Sequence, residues 1–151
     1  MEGSNKWAGI AAGPDNMLYC CPCNASVVLV IDPINGTCST IPCGVAGDYK
    51  WTGIALGPDD KLYCAPNNTE SGVRVIDPAT RTCSTIPCGV KGTHRWWSIA
   101  EGPAGTLAAP CANGGGASSL AALLAACSGR TVARSTGHQP VPDHRARREQ
   151  R

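Results

Sequence analysis

Cysteine is the residue type with the most chemical potential in this sequence, which contains ten cysteines among 151 residues. The tightest cluster is Cys-Cys-Pro-Cys at 20–23, whose thiolates are suitable ligands for a soft metal ion. A structural zinc site would need a second such cluster or a pair of closely spaced histidines. The three histidines do not have that spacing: His94, His138 and His144. The sequence therefore predicts neither a metal site nor a cofactor.

Residues arranged for catalysis are not found either. The chain has no nucleophile elbow, no phosphate-binding glycine loop, no zinc-binding helix motif and no matched pair of acids. The sequence therefore predicts no catalytic residue and favours a binding function.

The cysteines belong to a long internal repeat. The nonapeptide TCSTIPCGV stands at 37–45 and again at 82–90, and KWAGIAAGPDNMLYCCPCN at 6–24 matches KWTGIALGPDDKLYCAPNN at 50–68. A third copy opens with RWWSIAEGPAGTLAAPC at 95–111. A period of about 45 residues is typical of blade or solenoid arrays. The sequence predicts four segments: blade 1 at 6–49, blade 2 at 50–94, a partial blade 3 at 95–111 and a divergent tail at 112–151.

Four short apolar runs, separated by turn residues, indicate that each repeat consists of β-strands. In the first repeat the runs are Trp7–Ala12, Leu18–Cys21, Val27–Asp32 and Thr37–Pro42. The third run is apolar at every position from 27 to 31, so we expect both of its faces to be buried. A four-stranded sheet packed between two neighbouring sheets provides that environment.

The strand assignment limits which cysteines can pair. Cys38 and Cys43 share one extended strand, which separates them by roughly 16 Å, whereas a disulfide needs Cα atoms within about 7 Å. Cys83 and Cys88 are excluded for the same reason. A bridge between repeats, such as Cys43 with Cys88, stays open. We expect most cysteines to be small, half-buried strand residues in a reducing compartment.

Several positions of the repeat resemble a known blade motif. GIA at 9–11, PD at 14–15, LY at 18–19 and VIDP at 30–33 are similar to the pattern of NHL and YVTN-type β-propellers. The resemblance implies an all-β fold, a partial β-propeller of four-stranded antiparallel blades. The wider group includes gluconolactonase-like enzymes, which hold a divalent metal in the central channel. On the strands that would line that channel here, Glu101 is the only acid.

The chain is short for a closed propeller, because 4–8 blades of this size require roughly 180 to 360 residues. Two and a half blades leave two apolar faces uncovered. Three interpretations are open: a fragment of a longer propeller, a protomer whose copies close a ring by self-association, or a small open array.

The tail differs from the repeats in composition and in charge. Leucines and one cysteine at helical spacing predict a short helix at about 118–127, and the residues beyond it have the composition of a disordered segment. Residues 1–127 carry seven Lys and Arg against nine Asp and Glu, whereas 128–151 carry six Arg against two acids. No aromatic residue lies among these arginines, so we do not expect a nucleic-acid partner.

Function is expected on one face of the array. Because successive strands are antiparallel, the loop between the second and third strands emerges on the same face as the loop between repeats. On this loop face the repeats diverge, CPCNAS against APNNTESG and GDYK against GTHR, whereas the turns on the opposite face repeat. Divergent loops on a fixed scaffold are where ligand sites are usually built. The candidate binding residues are Asp48, Tyr49, Lys50, Asn67, Asn68, Glu70, Thr93, His94 and Arg95.

Three tryptophans, Trp7, Trp51 and Trp96, recur at the start of the first strand of each repeat. They have the chemistry to stack on a sugar or on a partner's side chain, but their period favours a second role, as wedges buried between blades. Trp97 breaks the period and is added to the candidate binding residues.

We therefore predict a non-catalytic propeller segment whose loop face binds a protein or glycan partner and whose open blade faces self-associate. The alternative is a fragment of a metal-dependent gluconolactonase-like hydrolase that lacks its catalytic blades. No signal peptide and no run of about 20 apolar residues is visible. This favours a cytoplasmic location without membrane contact.

Overall fold

A computed structural model describes residues 3–69, 71–88, 96–101 and 106–109. Every regular element within these ranges is a β-strand. None of the described segments provides a helix that could span a membrane. The helix predicted at 118–127, and the rest of the tail, lie outside the described residues.

Each of the first two repeats folds into one antiparallel four-stranded sheet whose spatial order follows the chain. Blade 1 consists of β1 (Trp7–Ala12), β2 (Leu18–Pro22), β3 (Val27–Asp32) and β4 (Thr37–Pro42). Blade 2 consists of β5 (Trp51–Leu56), β6 (Leu62–Pro66), β7 (Val73–Asp77) and β8 (Thr82–Ile86). In repeat 3, β9 (Ala100–Glu101) pairs with β10 (Leu107–Ala108). The four strands predicted in the first repeat are confirmed, with β2 one residue longer than expected.

The turn between the first two strands of each blade shows why its sequence repeats. The Tyr19 hydroxyl donates a 2.7 Å hydrogen bond to Asp15 Oδ2, and Tyr63 donates to Asp59 Oδ2 at 3.0 Å. Burial, together with this carboxylate, raises the pKa of Tyr63 to about 12. A Cβ on Gly13 would lie 2.6 Å from the Tyr19 ring, so glycine leaves the space that the ring occupies. Packing alone accounts for these repeated turns.

Successive blades approach most closely at their first strands, where β1 lies against β5 and β5 against β9. β1 and β5 are each irregular near a glycine with positive φ, Gly9 at 83° and Gly53 at 66°. A Cβ on Gly9 would lie 3.1 Å from Gly53 Cα, and a Cβ on Gly53 would lie 2.7 Å from Ser98 Cα. Glycine permits both the backbone conformation and this close approach.

Two apolar clusters hold the array together, one on each side of blade 2. The first lies between the blades and includes Tyr19, Cys21, Val28, Val30 and Ile41 of blade 1 with Trp51, Ile54, Leu62, Cys64 and Ile76 of blade 2. The second joins blade 2 to repeat 3 and includes Ala55, Ala65, Val73, Trp96, Ile99, Leu107 and Ala109. Blade 2 is therefore covered on both faces.

The prediction that both faces of the third strand are buried is wrong for β3. Val28 and Val30 are buried, whereas Leu29 and Ile31, which alternate with them, are only half-buried. No other strand of the described residues packs on that second side. In β7, for which no such prediction was made, all four residues from 73 to 76 are buried. We call the uncovered side of blade 1 the open face; the strand register places Ile10, Leu18, Cys20, Leu29 and Ile31 on it, and of these only Cys20 is buried.

Candidate binding face

The loop face is built by the same backbone contact in both blades. The Cys23 amide donates to the Lys6 carbonyl oxygen at 2.9 Å, and the Asn67 amide donates to the Lys50 carbonyl oxygen at 2.8 Å. Each contact ties the loop after the second strand to the segment that enters the first strand. The two loops that diverge in sequence are therefore neighbours in space.

A pocket of about 480 Å³ opens on this face beside blade 1. Three segments form its walls: the chain before β1, the β2–β3 loop and the loop between the blades. Its lining residues are Gly3, Ser4, Lys6, Asn24, Ala25, Ser26 and Asp48. Most of the lining side chains are small or polar, and they include one cation, Lys6, and one anion, Asp48.

Two of the predicted binding residues, Asp48 and Tyr49, lie at this pocket or directly beside it. Asp48 is exposed and contributes to the wall. Tyr49 is 45% exposed. Its amide donates to Asn24 Oδ1 at 2.7 Å, and its hydroxyl accepts a hydrogen bond from Asn5 Nδ2 at 3.2 Å. These contacts fix the loop that carries Asp48 against the β2–β3 loop.

Lys50, predicted as a binding residue, is instead enclosed and only 2% exposed. Its ammonium donates to the carbonyl oxygens of Cys23 at 2.9 Å and Gly47 at 2.7 Å. It also lies 5.9 Å from the centroid of the Trp51 ring. Burial lowers the pKa of Lys50, although nearby Cys43, Cys23 and Asp48 partly oppose this effect. In this arrangement Lys50 supports the loop face from beneath.

Asn67 occupies a similar supporting position between blade 2 and repeat 3, and it is 1% exposed. Its Nδ2 donates to Thr52 Oγ1 and to the Trp96 carbonyl oxygen, each at 3.4 Å. Thr52 Oγ1 donates to the same carbonyl at 2.7 Å. Asn68, the next residue, is half-buried.

Two of the three periodic tryptophans are buried as predicted, whereas Trp7 is only half-buried. Trp51 and Trp96 are 0% and 4% exposed, which confirms that they are wedges, whereas Trp97 is 60% exposed. The remaining predicted binding residues, Glu70, Thr93, His94 and Arg95, lie outside the described residues.

Lys6, Asn24 and Ser26 line the pocket but were not among the predicted binding residues. The repeat contains a signal for two of them, because Lys6 is the counterpart of Lys50 and Asn24 is the counterpart of Asn68. The residue types and repeat positions of Lys6 and Asn24 could be read from the sequence. Their common pocket depends on how the segment before β1 folds over the β2–β3 loop.

The eight cysteines in the described ranges are free thiols, five of them buried. The Cys43 thiol donates to the Ser26 carbonyl oxygen at 2.8 Å, whereas Cys88 packs against the cluster shared with repeat 3. The structure thus does not bring these two together as a bridge. In the described part of the chain, no group of three or more His, Cys, Asp or Glu side chains is arranged to hold a metal ion.

No protein-family model matches this sequence, and no curated protein matches it significantly. Solved structures are similar in fold. Catalytically inactive virginiamycin B lyase from Staphylococcus aureus with quinupristin is 17% identical, with a TM-score of 0.60 over 72% of this chain and 36% of that chain. A streptogramin B lyase is 19% identical, with a TM-score of 0.60 over 72% and 35%. Hydrazine synthase of Kuenenia stuttgartiensis is 19% identical, with a TM-score of 0.55 over 75% and 31%.

At these identities the likeness concerns the fold alone. The sheets of this chain are blades of a β-propeller, which confirms the predicted fold class. The chain spans little more than a third of the length of either lyase.

Proposed function

We propose that this chain is a segment of an NHL or YVTN-type β-propeller that binds a protein or glycan partner on its loop face. The observation that carries the proposal is the pocket of about 480 Å³ lined by Lys6, Asn24 and Asp48. Two of its three walls belong to the loops that differ between the repeats, whereas packing explains the turns on the opposite face. Variable loops on a rigid sheet scaffold are a common place for a ligand site.

The composition of the pocket supports an oligosaccharide as the first ligand class to test. Amide, hydroxyl, ammonium and carboxylate groups surround the pocket, and they suit the alternating donors and acceptors of a sugar. The half-exposed ring of Tyr49 follows Asp48 and offers an apolar face at the rim. A polar peptide segment of a protein partner presents similar groups.

A glycan array probed with the labelled full-length chain, followed by titration of the strongest ligand, tests this proposal. Asp48→Asn should raise the dissociation constant about tenfold, because a hydrogen bond to a charged group is lost. Asp60→Asn is the matched control, since it makes the same chemical change on the opposite face and reproduces Asn16 of the first repeat. A ligand whose affinity is unchanged by Asp48→Asn would contradict the pocket as the site. An array without any bound glycan would contradict the glycan form of the proposal.

Self-association through the open face is the second part of the proposal. Ile10 on this face is 55% exposed, whereas its repeat counterpart Ile54 is 8% exposed against blade 1. The open face thus has the composition of a surface that packs on another blade. Light scattering behind a sizing column, with and without reductant, should give a discrete oligomer in both conditions. A monodisperse monomer would contradict self-association.

An enzymatic origin is the alternative proposal, in which the chain is a fragment of a metal-dependent hydrolase of the gluconolactonase-like type. The lyase names of two similar structures support an enzymatic use of this fold. On the first strands that lie next to one another, β1, β5 and β9, Glu101 is the only acid among the described residues. Stoichiometric calcium binding in a calorimetric titration, abolished by Glu101→Gln, would favour this alternative.

A further inference from the structure

The two contacts between successive repeats have the same polarity. Blade 1 contributes Ala11 and Tyr19 to the apolar cluster that it shares with blade 2. Their counterparts in blade 2, Ala55 and Tyr63, contribute instead to the cluster that blade 2 shares with repeat 3. Each repeat therefore has a leading side, which receives the repeat before it, and a trailing side, which packs on the repeat after it.

The open face of blade 1 is a leading side that no strand of the described residues covers. Its five residues have counterparts in blade 2 on the side that packs on blade 1: Ile54, Leu62, Cys64, Arg74 and Ile76. None of these counterparts is more than 8% exposed, whereas Ile10 on the open face is 55% exposed. The open face thus occupies the positions that, in blade 2, receive the trailing side of another sheet.

Repeat 3 presents the complementary surface. Its leading side is buried against blade 2. Its trailing side, which we call the distal face, carries the counterparts of Thr52, Ala55 and Tyr63, namely Trp97, Ala100 and Ala108. Trp97 is 60% exposed, and both alanines are exposed. The described residues therefore expose one leading side and one trailing side.

We propose that the open face of one copy receives the distal face of a second copy, so that copies associate head to tail. This inference rests on the proposed self-association and adds its polarity and its partner surface. A contact between two different surfaces closes into a ring when the rotation between copies permits it. Each copy has two complete blades and one partial blade, so two copies supply four complete and two partial blades. Closed propellers have 4–8 blades.

Trp97 is suited to anchor this contact. Its counterpart Thr52 lies at the contact with repeat 3, where Oγ1 donates to the Trp96 carbonyl oxygen at 2.7 Å. The same placement between copies sets Trp97 beside Trp7, the counterpart of Trp96. Successive repeats are joined by the chain, so small residues are sufficient at this position, Ala8 in blade 1 and Thr52 in blade 2. Separate copies need a larger contact, and tryptophan is enriched among the residues that dominate binding between chains.

The competing arrangement is a two-fold contact in which two open faces pack on each other. Ile10 would then lie near its own equivalent in the second copy, and Trp97 would take no part. Both contacts between repeats join a leading side to a trailing side. Within the described ranges, no pair of leading sides is in contact. The packing of this chain on itself therefore favours the head-to-tail contact.

Two variants and their mixture test the polarity by light scattering behind a sizing column. Ile10→Asp damages only the open face, and Trp97→Asp damages only the distal face. Each variant alone should self-associate at least tenfold more weakly than the unmodified chain, because every head-to-tail contact needs both faces. Mixed in equal amounts, the two variants should form a one-to-one complex through the intact face of each. Ile34→Asp, at an apolar residue between β3 and β4 that is 81% exposed, is the matched control and should leave the oligomer unchanged.

The outcomes separate this inference from the proposal on which it rests. A monomeric unmodified chain would contradict self-association and, with it, the head-to-tail contact. An oligomer that persists in Trp97→Asp, or a mixture that forms no complex, would overturn the head-to-tail contact alone.

Photo-cross-linking provides a second test if circular dichroism shows that an aspartate variant fails to fold. Trp97→p-benzoylphenylalanine is prepared in light and heavy isotopic forms, which are mixed, irradiated and digested with trypsin. Cross-links between copies should join position 97 to the peptide of residues 7–50, at the segment Trp7–Ala12. Cross-links to another peptide, or none between copies, would overturn the proposal.

Discussion

Blades 1 and 2 have closely similar sequences and the same strand order, but they differ in how completely they are buried. Ile10 and Ile54 occupy the same position of the repeat and are 55% and 8% exposed. β1 has no buried residue, whereas four of the six residues of β5 are buried. The difference arises from the neighbours, because blade 2 lies between two sheets and blade 1 packs against only one within the described residues.

This comparison shows that a repeat specifies the blade but not its environment. The hydrogen-bond ladder and the turns are local to one repeat, so both copies form them equally. Burial of a face requires a second sheet, and repeat proteins gain much of their stability from such contacts. Equivalent substitutions in the two blades should therefore have unequal effects, and the inequality measures the contribution of the neighbouring blade.

The largest inequality is expected for the wedge tryptophans. Trp51→Ala should destabilise the chain by about 3–5 kcal/mol, whereas Trp7→Ala should cost roughly half as much because Trp7 is only half-buried. The two indoles make the same hydrogen bond, from Nε1 to the carbonyl oxygen of Val27 at 3.0 Å or of Gly72 at 2.8 Å. The difference thus isolates burial between blades. Urea unfolding of both variants measures it, and equal losses would contradict the comparison.

A smaller inequality is expected for two glycines that share a positive φ. Gly53 and Gly36 have φ values of 66° and 64°, so Ala at either position is strained by about 1–2 kcal/mol. Only at Gly53 does the new Cβ meet backbone, 2.7 Å from Ser98 Cα, whereas nothing lies within 4 Å of it at Gly36. Gly53→Ala should cost about 1–3 kcal/mol more than Gly36→Ala.

Chemical denaturation of these two glycine variants provides the measurement. If their midpoints coincide, the contact between β5 and repeat 3 is not tight.

The smallest effect, with the opposite sign, is expected where the blades differ in sequence. Arg74 is enclosed, whereas its counterpart Leu29 lies on the open face. Arg74→Leu should stabilise the chain by about 1 kcal/mol, because the cost of desolvating the guanidinium exceeds its contact with Trp51 and one long hydrogen bond. Leu29→Arg, the reciprocal change, should alter stability by no more than about 0.5 kcal/mol. A thermal midpoint that falls in Arg74→Leu would show that the guanidinium is well compensated between the blades.

Much of the fold could be predicted from the sequence, because it depends on short-range chemistry. The turn residues and apolar runs predicted three of the four strands of blade 1 to the residue. The period of Trp7, Trp51 and Trp96 predicted wedges between blades, and Trp51 and Trp96 are buried whereas Trp7 is half-buried. The error at β3 has a physical reason. An apolar run shows that both faces of a strand are suited to burial, but whether a second sheet covers each face depends on residues elsewhere.

The candidate site could be predicted less well. The divergence of the loops indicated the face on which the pocket opens, and it included Asp48 and Tyr49 at or beside that pocket. It also included Lys50 and Asn67, whose polar side chains satisfy carbonyl groups beneath the surface. Their residue types do not reveal this, because the direction of a side chain in a loop depends on contacts with segments distant in the sequence.

The sequence by itself determined that this protein is a repeat of four-stranded blades. Strand lengths and turns are set by the residues of each copy, and the period is the spacing between copies. Only the tertiary structure decided which faces are covered, that Lys50 and Arg74 are enclosed, and that Cys21 and Cys64 belong to one buried cluster between the blades. These properties arise where one blade packs on the next, and such long-range contacts depend on the relative placement of sheets rather than on the residues of either sheet alone.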